Sequence, residues 1–140
     1  MSINKKEPLG IKPNHNTPYR VLIIDDSEFI AKQLTKILTS EKFEIAATSF
    51  DGVSGLEKYK ELHTDIDLVT LDITMPKMDG TSVLEKILEF NKDAKVIMVS
   101  ALGMEDVVKK CILTGAKNYI KKPFDRAKVL ERVASVLKST

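Results

Sequence analysis

Three aspartates, a serine and a lysine hold most of the chemistry this chain offers, and each closes a short apolar run. Val21-Leu-Ile-Ile24 runs into Asp25-Asp26, and Leu68-Val-Thr-Leu71 runs into Asp72. Val96-Ile-Met-Val99 runs into Ser100, and Tyr119-Ile-Lys121 runs into Lys122-Pro123. As neighbouring parallel strands, these runs bring three carboxylates, a hydroxyl and an ammonium to one edge of a sheet. Three carboxylates so close repel one another unless a cation joins them. Mg²⁺ suits that place, because it prefers an octahedron of oxygens and keeps several waters. Its expected ligands are Asp25, Asp26, Asp72, a backbone carbonyl at Thr74, and water. The reaction such a site favours is in-line phosphoryl transfer onto Asp72, which needs positioning and charge neutralisation more than covalent help. Lys122 pairs with one phosphoryl oxygen as a point charge, and the Ser100 hydroxyl bonds another.

Each residue alone has a plainer reading. Asp25-Asp26 is then a helix cap with a turn residue, and Asp72 or Ser100 a turn former. Their joint occurrence at separate strand ends favours a functional site. Lys121 competes with Lys122, but successive strand residues point to opposite faces, so Lys121 is read as solvated.

The elements that must position these groups alternate from residue 19 onward. Strand-like segments fall at 21–24, 44–49, 68–72, 96–100 and 118–121. The first helix, 27–40, places Ile30, Leu34, Ile37 and Leu38 on one face, with Asp26 or Ser27 as its N-cap. Asp51-Gly52 reads as a turn, followed by a short amphipathic helix through Val53, Leu56 and Tyr59 that ends near His63. Pro76 and Gly80 mark residues 74–80 as a loop. Helix three carries Val83, Leu84, Ile87 and Leu88. Helix four carries Val107, Val108, Cys111 and Ile112 and stops at Gly115. Helix five starts near Asp125 and carries Val129, Leu130, Val133, Val136 and Leu137. Five β–α units whose strands lack alternation suit a parallel sheet buried on both faces. Right-handed crossovers put helices on both sides, giving a doubly wound three-layer α/β sandwich.

Composition narrows the function. At 140 residues, with 43% hydrophobic and 30% charged side chains, the chain is one domain of ordinary globular make-up. No apolar stretch approaches the roughly 20 residues needed to span a membrane. A single cysteine cannot form an internal disulfide and suits a reducing, cytoplasmic setting. Lys5, Lys6, Lys12 and Glu7 account for the whole net charge of +2, so residues 19–140 are neutral and carry no footprint for nucleic acid. Residues 1–18 lack periodicity and are read as a flexible extension, or one draped over the body. The apolar pattern runs to within three residues of the end, so no DNA-binding output domain is expected. His15 and His63 sit in no metal-ligand spacing. Cys111, Met75 and Met78 are read as packing.

Together these residues resemble the response-regulator receiver family. Asp25-Asp26 is similar to its acidic pair. Leu71-Asp72-Ile-Thr-Met-Pro76 through Met78-Asp-Gly80 resembles its phosphoacceptor loop. Ser100-Ala101 and Lys122-Pro123-Phe124 are similar to its later motifs, and the likeness covers residues 19–138. Within the family the stand-alone chemotaxis regulators are most similar. The resemblance implies a flavodoxin-like sheet of five strands in the order 2-1-3-4-5 with five helices. It also implies a phosphoacceptor signalling protein with intrinsic self-phosphorylation and dephosphorylation chemistry rather than an enzyme. Asp72 would take its phosphoryl group from a histidine kinase, and Ser100 and Tyr119 would act as the switch. The face formed by helix four, strand five and helix five would then bind the flagellar motor switch protein. The resemblance leaves room for a dedicated phosphatase and for a monomer. Leu102, two past Ser100, is expected to limit the water that hydrolyses the phosphate. One alternative is a stand-alone receiver in another phosphorelay or in kinase scaffolding. A further alternative is an aspartyl-nucleophile phosphatase, since Asp79-Gly-Thr81 resembles part of that signature. There, however, Lys77 stands where an aspartate is required.

Overall fold

Val21, Leu22, Ile23 and Ile24 are all fully buried, which an alternating strand on a one-sided sheet cannot achieve. The computed structural model describes residues 7–138 and shows why. Five strands, β1 (Arg20–Ile24), β2 (Glu44–Ser49), β3 (Leu68–Asp72), β4 (Val96–Ser100) and β5 (Asn118–Lys121), pair in parallel. Their order is β2-β1-β3-β4-β5. Five helices alternate with them: α1 (Glu28–Thr39), α2 (Gly52–Leu62), α3 (Gly80–Phe90), α4 (Glu105–Thr114) and α5 (Arg126–Lys138). The expected sandwich and strand order are both present.

Two cores lie on the two faces. Val21, Ile23, Leu68, Ile97 and Ile120 pack with Leu34 and Leu38 of α1 and with Val129 and Val133 of α5. Leu22, Ile24, Val69, Leu71, Val96 and Met98 pack with Leu56, Val83, Ile87 and Val108 from α2, α3 and α4. Neighbouring residues of one strand thus feed opposite layers. Each fully buried Leu or Ile contributes about 1.5–3 kcal/mol relative to exposure. Met75 and Cys111 are buried within the second core, as the packing reading expects.

Helix starts follow local chemistry. Ser27, rather than Asp26, caps α1, its hydroxyl accepting from the Ile30 N–H at 3.2 Å. Asp51-Gly52 is not a free turn. Asp51 caps α2 by accepting from the Ser54 N–H at 2.8 Å, and Gly52 is already helical. A short polar residue before an apolar-periodic run serves a cap as well as a turn. A single 3₁₀ turn, His63–Asp65, follows α2.

Residues 1–6, part of the extension, lie outside the described residues. From Pro8 the extension lies against the base of the sheet, at the strands' amino ends. Gly10 N–H donates to the Glu41 carbonyl and Tyr19 N–H to the Gly10 carbonyl, both at 2.7 Å. Ile11 and Pro18 bridge each other, and Lys12 pairs with Asp67 at 3.3 Å. Among the described residues no helix is long and apolar enough to cross a membrane.

At the opposite end, α3 begins hard against β3. A Cβ on Gly80 would run into the Asp72 carbonyl oxygen and reach 2.7 Å from the Ile73 Cα. These are backbone atoms, which cannot swing aside. Gly80→Ala is therefore expected to lower stability by about 1–3 kcal/mol. Urea unfolding of the two proteins measures this, and equal midpoints would reject the tight approach.

Candidate functional site

Parallel strands expose their last residues at one edge, and here that edge gathers the residues singled out above. Asp25 follows β1 directly, Asp72 ends β3, Ser100 ends β4 and Lys122 follows β5. Asp25, Asp72 and Ser100 are buried, with 1%, 4% and 3% of their surfaces exposed. Asp26 is exposed at the rim. Each of Asp25, Asp26 and Asp72 offers a carboxylate oxygen, and these oxygens lie within 4.8 Å of one another. Among the described residues no other cluster of acids, histidines or cysteines does so.

Lys122 ties the site together. Its Nζ lies 3.4 Å from Asp72 Oδ1 and 3.6 Å from Asp25 Oδ2. Its own N–H donates to the Ser100 carbonyl at 2.7 Å, which fixes β5 against β4 at this level. The Lys122–Pro123 bond is cis. Lys121 points away, is exposed and pairs with Glu105 at 3.5 Å. The alternation along β5 therefore separates the two lysines as expected.

One ammonium does not balance two buried carboxylates. Burial, then the neighbouring Asp25 charge, pushes the Asp72 carboxyl up to about 7. Burial likewise raises Asp25, although Asp25 Oδ1 accepts from the Ser27 N–H at 2.9 Å. Asp25 Oδ2 has no hydrogen-bond partner. Only the Lys122 ammonium, beyond hydrogen-bonding reach at 3.6 Å, offsets the burial of that oxygen, which is costly unless a nearer cation meets it. The donor set is oxygen only, and it fits a hard divalent cation such as Mg²⁺. Thr74 sits exposed on the loop two residues past Asp72.

Other singled-out residues fall outside this cluster. Asp79 is engaged as the cap of α3, accepting from Ser82 N–H at 3.0 Å and Thr81 Oγ1 at 2.8 Å. Tyr119 is half-buried on β5, pairing in register with Met98. His63 packs edge-on against Phe90, and His15 is exposed. Burial raises the Cys111 thiol, as for an inert packing group.

Two contacts escaped the sequence. Lys77 reaches Asp51 at 3.8 Å, joining the loop after Asp72 to the start of α2. Arg132 of α5 lies over the Tyr119 ring. Neither pair shares a helical or strand spacing, so no local signal announces them.

Known proteins resemble the whole arrangement. Residues 21–134 match the response regulator receiver domain family. The chain is 64% identical to the chemotaxis protein CheY of Treponema pallidum, over 98% of this chain and 94% of that one. It is 42% identical to the CheY of Thermotoga maritima, over 85% and 98% of the respective chains. Its fold superposes with a TM-score of 0.92 on a chain from the CheX-CheY-BeF₃-Mg²⁺ complex of Borrelia burgdorferi. That chain is 56% identical, and the match covers 94% of this chain and 98% of that one.

The raised carboxyls carry a stability prediction. A carboxyl raised in the folded state contributes stability below its unfolded value, near 3.8 for Asp72, and loses it as pH rises through about 7. Metal-free protein should therefore lose on the order of 2–4 kcal/mol between pH 4 and pH 8 from this site. Mg²⁺ should restore part of it at pH 8. Asp25→Asn should stabilise the metal-free protein at pH 8 and weaken the Mg²⁺ response. Urea midpoints with and without Mg²⁺ measure all three, and a variant no more stable than the parent would refute the account.

Proposed function

Because the chain belongs to the response regulator receiver family, we propose that it is a cytoplasmic phosphoacceptor of a chemotaxis pathway. In this reading it takes a phosphoryl group from a histidine kinase on Asp72. The observation that carries the reading is Lys122 Nζ, held 3.4 Å and 3.6 Å from two buried carboxylates of which only Asp72 ends a strand.

The transfer is a displacement at phosphorus. An Asp72 carboxylate oxygen forms the new P–O bond, and the P–N bond to the kinase imidazole breaks, its electron pair leaving with the nitrogen. A divalent ion held by Asp25, Asp26, Asp72 and the Thr74 carbonyl supplies charge neutralisation when bound. Lys122 turns from the carboxylates to a phosphoryl oxygen, which replaces two shared contacts by one short charged pair. Ser100, buried beside Asp72's strand, offers its hydroxyl to another oxygen. Water then hydrolyses the acyl phosphate, so the chain sustains its own phosphorylation and dephosphorylation without being an enzyme in the usual sense.

The readout face is supported by a groove of about 350 Å³ between α4 and β5. Ser100, Val108, Ile112 and Tyr119 line it together with Lys109 and the ion pair of Lys121 with Glu105. Leu113, 82% exposed, extends the apolar surface. An apolar strip flanked by Lys109 and by the Lys121–Glu105 pair suits an amphipathic partner segment that brings an acid to Lys109. We assign that partner as a flagellar motor switch protein. The Borrelia relative forms a complex with CheX, and a dedicated phosphatase is a further partner in this reading.

Incubation with acetyl phosphate and Mg²⁺ tests the reaction. Intact mass should show one base-labile phosphate on the parent chain and none on Asp72→Asn; an adduct on both would place the acceptor elsewhere. Leu102 is 76% exposed and shares a groove with Lys122 and Pro123. Leu102→Glu, which brings a water-ordering carboxylate to that entrance, should shorten the phosphate lifetime. An unchanged decay rate would reject a role for Leu102.

A further inference from the structure

Tyr119 stands on β5 between two grooves. The one toward α4, already described, holds Ser100 and Val108. The other, about 390 Å³, is lined by Leu102, Lys122, Phe124 and Arg132. The ring packs against the core shared by α2, α3 and α4. On its other side the Arg132 guanidinium carbon lies 4.7 Å from the ring centroid. Arg132 Nη1 donates to Asn118 Oδ1 at 3.3 Å, and that same oxygen accepts from the Tyr119 N–H at 2.8 Å. The guanidinium is therefore anchored to the residue preceding the ring it covers. Its Nε is buried and has no hydrogen-bond acceptor. Arg132 leaves one donor unmet while its guanidinium sits over the aromatic face, where the ring quadrupole attracts the cation.

We propose that Arg132 is a positioning residue that clamps the Tyr119 ring in its present orientation, so that α5 sets how readily the ring exchanges between the two grooves. The proposal rests on the reading of Tyr119 as the switch aromatic. Tyr119 and Lys121 line both the groove that reaches Ser100 and the groove that reaches Lys122, and of the two Tyr119 is the half-buried aromatic that packs on the core. A clamp there weights one arrangement of a two-state element, and a phosphoryl group or a partner on either side works against that weight. A cation over a half-exposed ring changes such a ratio by about two- to fivefold.

The test uses the full chain labelled at tyrosine, with Tyr119 χ1 populations taken from three-bond couplings. Without phosphate, Arg132→Gln keeps a donor for Asn118 but removes the charge, and the ratio of major to minor rotamer should fall about two- to fivefold. Arg132→Lys retains the charge and should recover much of the ratio. Tyr19 and Tyr59 report on the fold in the same spectra. An unchanged ratio in Arg132→Gln overturns the clamp, as does an equal fall in both variants, which would mark packing rather than charge. The parent chain with Mg²⁺ and beryllofluoride tests the underlying reading separately. If its Tyr119 populations ignore the phosphoryl mimic, the switch reading fails, while the clamp is still judged by the mimic-free comparison.

Discussion

Two buried carboxylates share one ammonium at the carboxyl edge of the sheet, and most of the molecule is arranged around that imbalance. Asp25 and Asp72 are held in place by β1 and β3, two of the three interior strands, whose apolar residues are buried on both faces. The backbone cannot relax to separate them without breaking the β1·β3 ladder that runs from Val21–Leu68 to Ile24–Leu71. Excess negative charge is thus maintained by hydrophobic packing. The packing is strong enough because every apolar residue of these strands is fully or almost fully buried. What the site lacks is positive charge, and that is what a hard cation brings.

The same sheet carries the consequence outward. Lys122 and Ser100 are joined by a backbone hydrogen bond, and Ser100 pairs in register with Lys121. In the proposed reading, a change in what Lys122 contacts acts on the end of β4 and the start of the α4 loop. Tyr119 lies three residues back along β5, between α4 and α5. In the proposed reading, one strand pair and one ring connect Asp72 to the surface. The exposed apolar residues Ile112 and Leu113 stand at the far end of that path.

The elements were legible because the strands lack alternation and the helices repeat their apolar residues at three and four. Both are local signals of burial. Helix caps were less so. Asp51-Gly52 carries the same residue types whether it turns a chain or starts a helix, and only the following contacts decide. The extension was the least legible part. Its prolines and its lack of periodicity say nothing of partners 32 residues away, yet Leu9 N–H donates to the Glu41 side chain at Oε1, 3.0 Å.

For the site, the order of residue types along the chain already named Asp25, Asp26, Asp72, Ser100 and Lys122, and with them an oxygen-rich cation site beside a carboxylate. That followed because parallel strands deliver their last residues to one edge whatever the details of packing. The chain's order of letters could not settle distances, burial or charge balance. Asp72 is raised because it is desolvated next to Asp25, and desolvation is a property of the assembled layers. Arg132 over Tyr119 and Lys77 beside Asp51 are likewise products of assembly. Each joins residues whose separation along the chain has no period, so only the folded neighbourhood brings them into contact.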